Sequence, residues 1–281
     1  MWNNGRLAQN VPMASTRPRL DGTQSIERTV VLLRALAERG RLGWGLTDLA
    51  QAAGLAKPTA HRILSRLEHE RLVHRRAGGD RYVLGPALGE LSLCILGFHD
   101  FVAQAQDCAL AVARELGLVT IVSLRSGDHF VIASRIETDR MRSRINEEGA
   151  FRPLICTAGG IAILISFERA EQERVIADNL RELASRGRTR FADCHAMLKR
   201  SRRLGVGTNF GDIAAGTNAI AVPFGPDGRE AMGSLTGAGP DSQLDESRCM
   251  ALAQRLREHG ERLARLAKEL GLGPQSSSPA A

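Results

Sequence analysis

The sequence predicts an α+β protein with an N-terminal winged helix-turn-helix, a linker helix and a C-terminal α/β domain. Three amphipathic helices and a β-hairpin follow one another within residues 23–85, and strand-like and helix-like segments alternate after residue 118. The charge is the third observation. The net charge of +7 lies wholly in residues 1–85, which hold 14 Lys/Arg and 7 Asp/Glu. A basic excess confined to one module is typical of domains that bind phosphate-rich partners.

The first predicted helix runs from about Ile26 to Ala37. Thr23–Ser25 offers side chains that can cap its first turn, and Gly40 marks its end. An apolar stripe along one side predicts an amphipathic helix. The stripe consists of Ile26, Val30, Leu33, Leu36 and Ala37.

Two further helices form a helix-turn-helix. The first runs from Leu46 to about Ala53, and Gly54 breaks it, since a residue without Cβ fits the tight turn. The second runs from about Pro58 to Arg71, and Pro58 suits its first turn because that position needs no N–H donor. In this motif the second helix enters the major groove of DNA with its N-terminal residues against the base edges.

Two short extended runs, Leu72–Arg76 and Arg81–Leu84, flank a Gly-Gly-Asp turn and predict the β-hairpin of a wing. Arg62 is suited to a bidentate pair with guanine, and the arginines beside the hairpin are suited to backbone phosphates. Any one arginine fits a solvated surface equally well, so the agreement of all these signals is what indicates DNA binding. The predicted contact residues are Thr47, Lys57, Pro58, Thr59, Ala60, His61, Arg62, Arg66, Arg75, Arg76 and Arg81.

Beyond Gly85-Pro86, a helical pattern runs from Ala87 to about Leu116, either as two helices or as one helix bent at Gly97. We expect a disordered arm at residues 1–22, the winged module at 23–85, the linker at 86–100, a second domain at 101–272 and a disordered tail at 273–281.

The second domain is predicted to alternate strands and helices around one sheet. Its predicted strands are Val119–Leu124, Phe130–Ile136, Arg142–Asn146, Ala219–Pro223 and Ala231–Gly237. Its predicted helices are Ala158–Phe167, Ala170–Leu183, Asp193–Leu204 and Leu244–Leu270, and Gly205–Gly216 is predicted to be a glycine-rich loop.

Composition argues against several classes of protein. No apolar run approaches the roughly 20 residues of a membrane-spanning helix, and the N-terminus lacks the apolar core of a signal peptide. We therefore expect a cytoplasmic protein with no membrane partner. The five cysteines lie far apart and form no CxxC pair, which favours scattered buried thiols over a metal or redox site. No cofactor is expected.

No catalytic residue is predicted, because the sequence contains no Gly-x-Ser-x-Gly, P-loop, His-Glu-x-x-His or dinucleotide-binding fingerprint. An enzyme of another kind stays an alternative, since a missing motif does not exclude catalysis. A second alternative is a DNA-binding protein whose C-terminal half only forms oligomers, through the helix Leu244–Leu270.

The segment Thr157–Gly160 precedes an apolar helix and has two interpretations. Thr157 can cap the helix, and the small residues would let a ligand reach backbone N–H groups, where anions such as carboxylates are favoured. The same residues also suit a plain threonine cap followed by close packing of the helix.

These segments resemble the IclR family of transcriptional regulators over residues 23–271. The most specific match is Gly54-Leu-Ala-Lys-Pro-Thr-Ala-His-Arg-Ile-Leu64, and weaker ones are Pro153–Gly160 and Asp212–Pro223. The resemblance implies a winged helix-turn-helix joined by a linker helix to a GAF-like effector-binding domain. It also implies dimers, often paired into tetramers, that bind palindromic operators. Candidate dimer surfaces are the helix Ile26–Ala37 and the linker helix Ala87–Leu96.

The resemblance further implies an effector pocket formed by Thr157, Ala158, Gly159, Asp212, Ala219, Thr236 and Ala238. Relatives often carry more polar residues where this chain has Ile155, Ile161, Ala219 and Ala238. The pocket implied for this chain is therefore less polar than the pockets of those relatives. We therefore expect a small organic acid as effector, with an apolar or aromatic acid fitting better than a short hydrophilic one.

Overall fold

The computed structural model describes residues 22–76, 79–137, 148–185, 191–225, 230–246 and 248–273. The chain divides into two compact units, Met1–Cys94 with Leu180–Thr189, and Ile95–Asn179 with Arg190–Ala281. The boundary after Cys94 falls inside the predicted linker. The predicted strand Arg142–Asn146, nearly all of the predicted arm and nearly all of the predicted tail lie outside the described residues.

The N-terminal unit contains the predicted three helices and wing. Its elements are α1 (Gln24–Arg39), β1 (Trp44–Gly45), α2 (Leu46–Ala52), α3 (Lys57–His69), β2 (Val73–Arg75), β3 (Arg81–Leu84) and α4 (Pro86–Ser92). The three strands form an antiparallel sheet in the order β1-β3-β2. Strand β1 was not predicted, because two residues are too short to show the alternation that marks a strand.

Trp44 fixes β1 to the first helix. Its indole N–H donates to the carbonyl of Ala35 at 2.7 Å, and the guanidinium of Arg39 lies 3.7 Å from the ring centroid. The indole is 8% exposed and shares its core cluster with Tyr82 of β3. The wing sheet is therefore attached to α1 by a buried aromatic side chain whose one polar atom is satisfied.

The predicted apolar stripe of α1 is wrong in its first half. Ile26 and Val30 are 63% and 38% exposed, whereas Leu32, Ala35 and Leu36 are buried. The core cluster of the unit includes apolar residues of the helix from Val31 onward, so apolar spacing alone did not locate the packed face. Thr23 is the N-cap residue, but its side chain forms no capping hydrogen bond.

The C-terminal unit is built on one antiparallel sheet of six strands in the order β6-β5-β4-β9-β8-β7. Its strands are β4 (Val119–Ser126), β5 (His129–Ile136), β6 (Phe151–Pro153), β7 (Gly207–Phe210), β8 (Thr217–Phe224) and β9 (Gly233–Pro240). Its helices are α5 (Phe98–Leu116), α6 (Ala158–Leu164), α7 (Arg169–Ser185, of which the part from Leu180 on belongs to the other unit), α8 (Phe191–Leu204) and α9 (Cys249–Glu269). The α4–α5 break lies next to Gly97, whose φ is +72°, so the alternative of two helices is the observed one. Residues 98–100, predicted as linker, form the first turn of α5.

The two faces of this sheet differ in chemistry because neighbouring side chains on a strand point to opposite sides. On one face Val122, Val222 and Leu235 form a cross-strand row within the main core, which also includes Leu252 and Leu256 of α9. The opposite face, covered by α6, carries small and hydroxyl-bearing residues. The apolar face holds the unit together, and the small-residue face is the candidate site for a ligand.

Three predicted boundaries need correction. The predicted loop Gly205–Gly216 contains β7, α6 ends at Leu164 and not at Phe167, and α9 begins at Cys249 and not at Leu244. The glycines of this segment made it resemble a loop, so β7 was not predicted. A Cβ at Gly207 would lie 2.0 Å from the carbonyl oxygen of Ala158, so this strand position needs glycine for packing and not for flexibility.

Replacing Gly207 by Ala should destabilise the C-terminal unit. The new Cβ would force the backbones of β7 and α6 apart, which costs about 1–3 kcal/mol of unfolding free energy in a packed interior. Gly260→Ala in α9 is the matched control, because its Cβ would meet Val222 at an ordinary 3.7 Å. Chemical denaturation that shows equal stability for the two variants would contradict the close approach of α6 to the sheet.

Candidate nucleic-acid interface and candidate effector site

The helix-turn-helix forms around a small apolar core. Leu49 and Ala50 of α2 pack with Leu64 and Leu67 of α3, and all four are at most 5% exposed. Gly54 has a φ of +64° in the connecting turn, a left-handed conformation that favours glycine. The Leu55 N–H bonds the Ala50 carbonyl at 2.8 Å and closes the turn. This core fixes which side of α3 is left to solvent.

The solvent side of α3 has a central strip of four exposed residues, Pro58, Arg62, Ser65 and His69. Their spacings of four, three and four residues put them on one face of the helix. Among the residues that the structure describes, Arg62 has no ion-pair or hydrogen-bond partner. Its guanidinium is therefore available to an external acceptor. Pro58 and Arg62 were predicted as contact residues, whereas Ser65 and His69 were not, although the same helical spacing includes all four.

The prediction that Ala60 contacts DNA is wrong. Ala60 is fully buried and belongs to the same core cluster as Leu64 and Leu67. It lies on the inner face of α3, in helical phase with the core residues Leu64 and Leu67. Its neighbour Thr59 is half-buried, while Lys57 and His61 are exposed beside the central strip.

The remaining predicted arginines have contacts within the unit. Arg66 forms an ion pair with Glu70, and Nε of Arg75 lies 3.6 Å from a carboxylate oxygen of Glu68. Arg81 donates to the carbonyl of Gly43 at 3.3 Å, which ties β3 to the turn before β1. Arg76 and Thr47 are also exposed. The structure thus brings the predicted residues other than Ala60 to the surface of the winged module, with Thr59 partly covered.

Thr157 caps α6 as predicted. Its hydroxyl oxygen accepts a hydrogen bond from the Gly160 N–H at 3.1 Å, and its backbone is extended. The preceding turn is held by Asn179, whose side chain accepts from the Ile155 N–H at 3.4 Å and donates to the Asp128 carbonyl at 3.1 Å. Asn179 is 1% exposed. A buried amide therefore connects the start of α6 to the β4–β5 turn.

Close packing explains the two glycines of the Thr157–Gly160 segment. A Cβ at Gly159 would lie 2.9 Å from the Thr236 hydroxyl and 3.0 Å from the Ser234 hydroxyl. A Cβ at Gly160 would lie 2.2 Å from the Leu154 carbonyl oxygen. Of the two interpretations of this segment, the structure supports the cap with close packing for both glycines.

Three hydroxyls form a row on the sheet beneath Gly159, namely those of Ser123, Ser234 and Thr236. Ser123 of β4 and Ser234 of β9 are directly opposite each other in the strand register. They are 2% and 0% exposed, and the Ser234 hydroxyl is buried without a hydrogen-bond partner among the described residues. Neither serine was predicted as a site residue, although Ser234 shares one face of β9 with the predicted Thr236 and Ala238.

Ala219 and Ala238 continue the same face. They are register partners on β8 and β9, and they remain 9% and 8% exposed. Ala238 and Thr236 are two residues apart, so their side chains leave the same side of the sheet. The structure thus brings Ala158, Gly159, Thr236 and these two alanines to one face, next to the hydroxyl row.

Asp212 is tied to a different part of the unit. Its carboxylate pairs with Arg200 and accepts the Phe210 N–H at 2.8 Å. Arg200 donates to the Thr208 hydroxyl at 3.0 Å and lies over the Phe210 ring. Thr208 pairs with Ile220 of the apolar face, so both Thr208 and Phe210 point away from the hydroxyl row. The implied role of Asp212 in the pocket is therefore not supported by its contacts.

The described residues contain no group of three or more His, Cys, Asp or Glu arranged to hold a metal. None of the described helices has the length and apolar character needed to span a membrane.

Burial raises the pKa of the thiols of Cys108 and Cys249, which keeps them in the less reactive protonated form. Cys94 is exposed, so the expectation of buried thiols is wrong at that position.

Thr157→Ala should destabilise the C-terminal unit by about 0.5–2 kcal/mol, because the Gly160 N–H loses its capping partner. Thr157→Ser is the matched control, since it keeps the hydroxyl oxygen and removes only a methyl group. The two variants are compared by chemical denaturation. If Thr157→Ser lost as much stability as Thr157→Ala, the residue would contribute something other than the capping hydrogen bond.

Comparison with known proteins identifies both units. The IclR helix-turn-helix domain matches residues 25–77, and the C-terminal domain of bacterial IclR transcriptional regulators matches residues 95–265. The glycerol operon regulatory protein of Streptomyces griseus is 29% identical over 221 residues, covering 79% of this chain and 86% of that protein. The transcriptional repressor IclR of Escherichia coli is 23% identical over 265 residues, covering 93% of each chain.

Solved structures agree with this fold. An IclR transcriptional regulator from Silicibacter sp. superposes with a TM-score of 0.71 at 25% identity, covering 91% of this chain and 100% of that chain. An IclR homologue from Microbacterium hydrocarbonoxydans, complexed with 4-hydroxybenzoate, superposes with a TM-score of 0.61 at 18% identity over 88% and 100% of the two chains. The predicted fold class is confirmed, and the chain belongs to the IclR family of DNA-binding bacterial transcriptional regulators.

Proposed function

We propose that this regulator binds a palindromic operator through the central strip of α3 and that a small organic acid changes its operator affinity. The observation that carries the proposal is the guanidinium of Arg62, which has no partner in the described part of the chain and lies in the middle of an exposed face of the recognition helix. A regulator of this kind acts on the chromosome, so we assign it to the cytoplasm. We assign it no enzymatic activity, metal or cofactor.

The proposed contacts with DNA are of two kinds, those that read the base sequence and those that only hold the protein on the duplex. Arg62 is suited to the paired acceptors of a guanine edge, and such a pair discriminates between bases by about 1–3 kcal/mol. Lys57 on α3 and Arg76 beside the wing are suited to phosphates, which hold the protein in register without reading sequence. The wing is therefore a positioning element, and the recognition helix supplies the specificity.

A homodimer or tetramer is the proposed functional form. Apolar side chains on α1 and around α4 support it, because exposed apolar surfaces of this kind mark sites of association. The exposed fractions are 63% for Ile26, 38% for Val30, 61% for Leu91, 69% for Leu93, 52% for Ile95 and 90% for Leu96. Two modules are also needed because one winged helix makes few base contacts.

The proposed effector site is the small-residue face of the C-terminal sheet, beside the start of α6. Thr236 offers a hydroxyl to the polar group of an acid, and Ala219 and Ala238 offer an apolar wall. These three residues keep a small exposure while Ser234 has none, so we place the entrance on the alanine side. The Microbacterium relative is complexed with an aromatic acid, which makes 4-hydroxybenzoate a suitable first probe. A C-terminal domain that only forms oligomers is the second candidate.

Arg62→Ala should weaken operator binding by about 1–3 kcal/mol if this side chain reads a base. The measurement is fluorescence anisotropy on DNA from upstream of the protein's own gene, beside an unrelated duplex and across a salt series. Arg265→Ala on α9 is the control, because it removes the same charge from an exposed residue of the C-terminal unit. Wild-type protein that binds neither duplex at low salt would contradict DNA binding through this surface.

Thr236→Val should weaken binding of the acid about 10- to 100-fold, since a hydrogen bond to a charged group contributes about 1.5–3 kcal/mol. Calorimetric titration with 4-hydroxybenzoate and a panel of small organic acids is the measurement. Ser134→Ala serves as control, because this second buried hydroxyl without a partner among the described residues lies on β5, which β4 separates from β9. No heat from any acid, together with acid-independent operator binding, would favour the oligomer-only alternative.

A further inference from the structure

Two arginine–glutamate ion pairs flank the central strip of α3, one on each side. Arg66 pairs with Glu70 on the first side, and Glu68 pairs with Arg75 of β2 on the second. We propose that Glu68 and Glu70 restrain the protein's binding to DNA of any sequence, by occupying two arginines that would otherwise hold phosphates. The inference rests on the proposed DNA binding, and it concerns the part of the affinity that does not depend on sequence.

Both pairs lie on the flanks of the strip that is proposed to enter the major groove, and phosphates line both sides of that groove. Arg66 and Glu68 are two residues apart, which separates them by about 160° around the helix axis, with Arg62 and Ser65 between them. The side chains of Arg66 and Glu70 are 72% and 45% exposed, and those of Arg75 and Glu68 are 46% and 37% exposed. The guanidinium of Arg75 also lies 5.1 Å from the Tyr82 ring centroid. Each arginine is therefore held at the surface with a carboxylate beside it.

Stabilisation of α3 does not account for these glutamates. Glu68 lies in the last turn of the helix and Glu70 is its C-cap residue, where the helix dipole disfavours a negative charge. In the Arg66–Glu70 pair the acid is also C-terminal to the base, which is the weaker of the two i,i+4 orientations. Both carboxylates thus occupy unfavourable positions for the helix and favourable ones for the neighbouring arginines.

The energetics favour an effect on non-specific binding. Contacts to phosphates supply nearly all of the affinity for unrelated DNA, and this segment is strongly basic, with seven Lys/Arg against three Asp/Glu between Gly54 and Arg81. A phosphate that approaches Arg66 or Arg75 must displace a carboxylate and stay close to it. Among the described residues Arg62 has no such competitor, so its base contact keeps its full strength. The two glutamates therefore lower the part of the affinity that comes from phosphates, for DNA of any sequence.

The experiment compares Glu68→Gln, Glu70→Gln and the double variant with wild type on an unrelated duplex, by fluorescence anisotropy across a salt series. Each substitution should tighten binding about two- to fivefold, the range expected from the weak energy of an exposed ion pair. The slope of log affinity against log salt should steepen by about 0.9 for each arginine released to a phosphate. Glu261→Gln on α9 makes the same change in net charge outside the winged module and should change binding far less.

A double-mutant cycle separates local pairing from general charge. In an Arg66→Ala background, Glu70→Gln should no longer tighten binding, because the arginine that it releases is absent. Two results would overturn the proposal: unchanged or weaker binding by Glu70→Gln while wild type binds, or an equal gain in the Arg66→Ala background. Wild type that binds no duplex at low salt would instead remove the proposed DNA binding itself.

Discussion

The approach of α6 to the sheet is the constraint on which the C-terminal unit depends. At Gly207 and Ala158 the two backbones meet without an intervening side chain, and Gly159 rests against hydroxyls of two neighbouring strands. This contact leaves no room for even one added methyl group, because protein interiors are closely packed. The position of Thr157 and the accessibility of Thr236 both follow from where this short helix lies.

The N-terminal unit could be predicted well because its signals are local. Helical periodicity, Gly54 and the two hairpin runs each specify an element within a few residues. The errors arise where tertiary packing decides. Apolar spacing marked Ile26 and Val30 as core residues, but the core does not extend to their end of α1. Ala60 was assigned to the DNA surface from its place in the motif, although its own helical phase places it inside.

The C-terminal unit was predicted less completely for a related reason. Strand β7 begins with a glycine that serves backbone contact with a helix almost fifty residues earlier in the chain, and nothing local reveals that purpose. Asp212 was assigned by resemblance, whereas its partner Arg200 becomes evident only when α8 and β7 are seen side by side. Ser123 and Ser234 also become neighbours only through the pairing of β4 with β9.

The position of Trp44 has a spectroscopic consequence. The chain has two tryptophans and one tyrosine; Trp44 and Tyr82 share the N-terminal core, and Trp2 lies outside the described residues. The C-terminal unit contains neither residue type, so it contributes no indole or phenol emission of its own. In a Trp2→Phe variant the intrinsic fluorescence therefore comes from the core of the DNA-binding module. A change in that emission on adding a ligand of the C-terminal unit would show that binding in one unit alters the other.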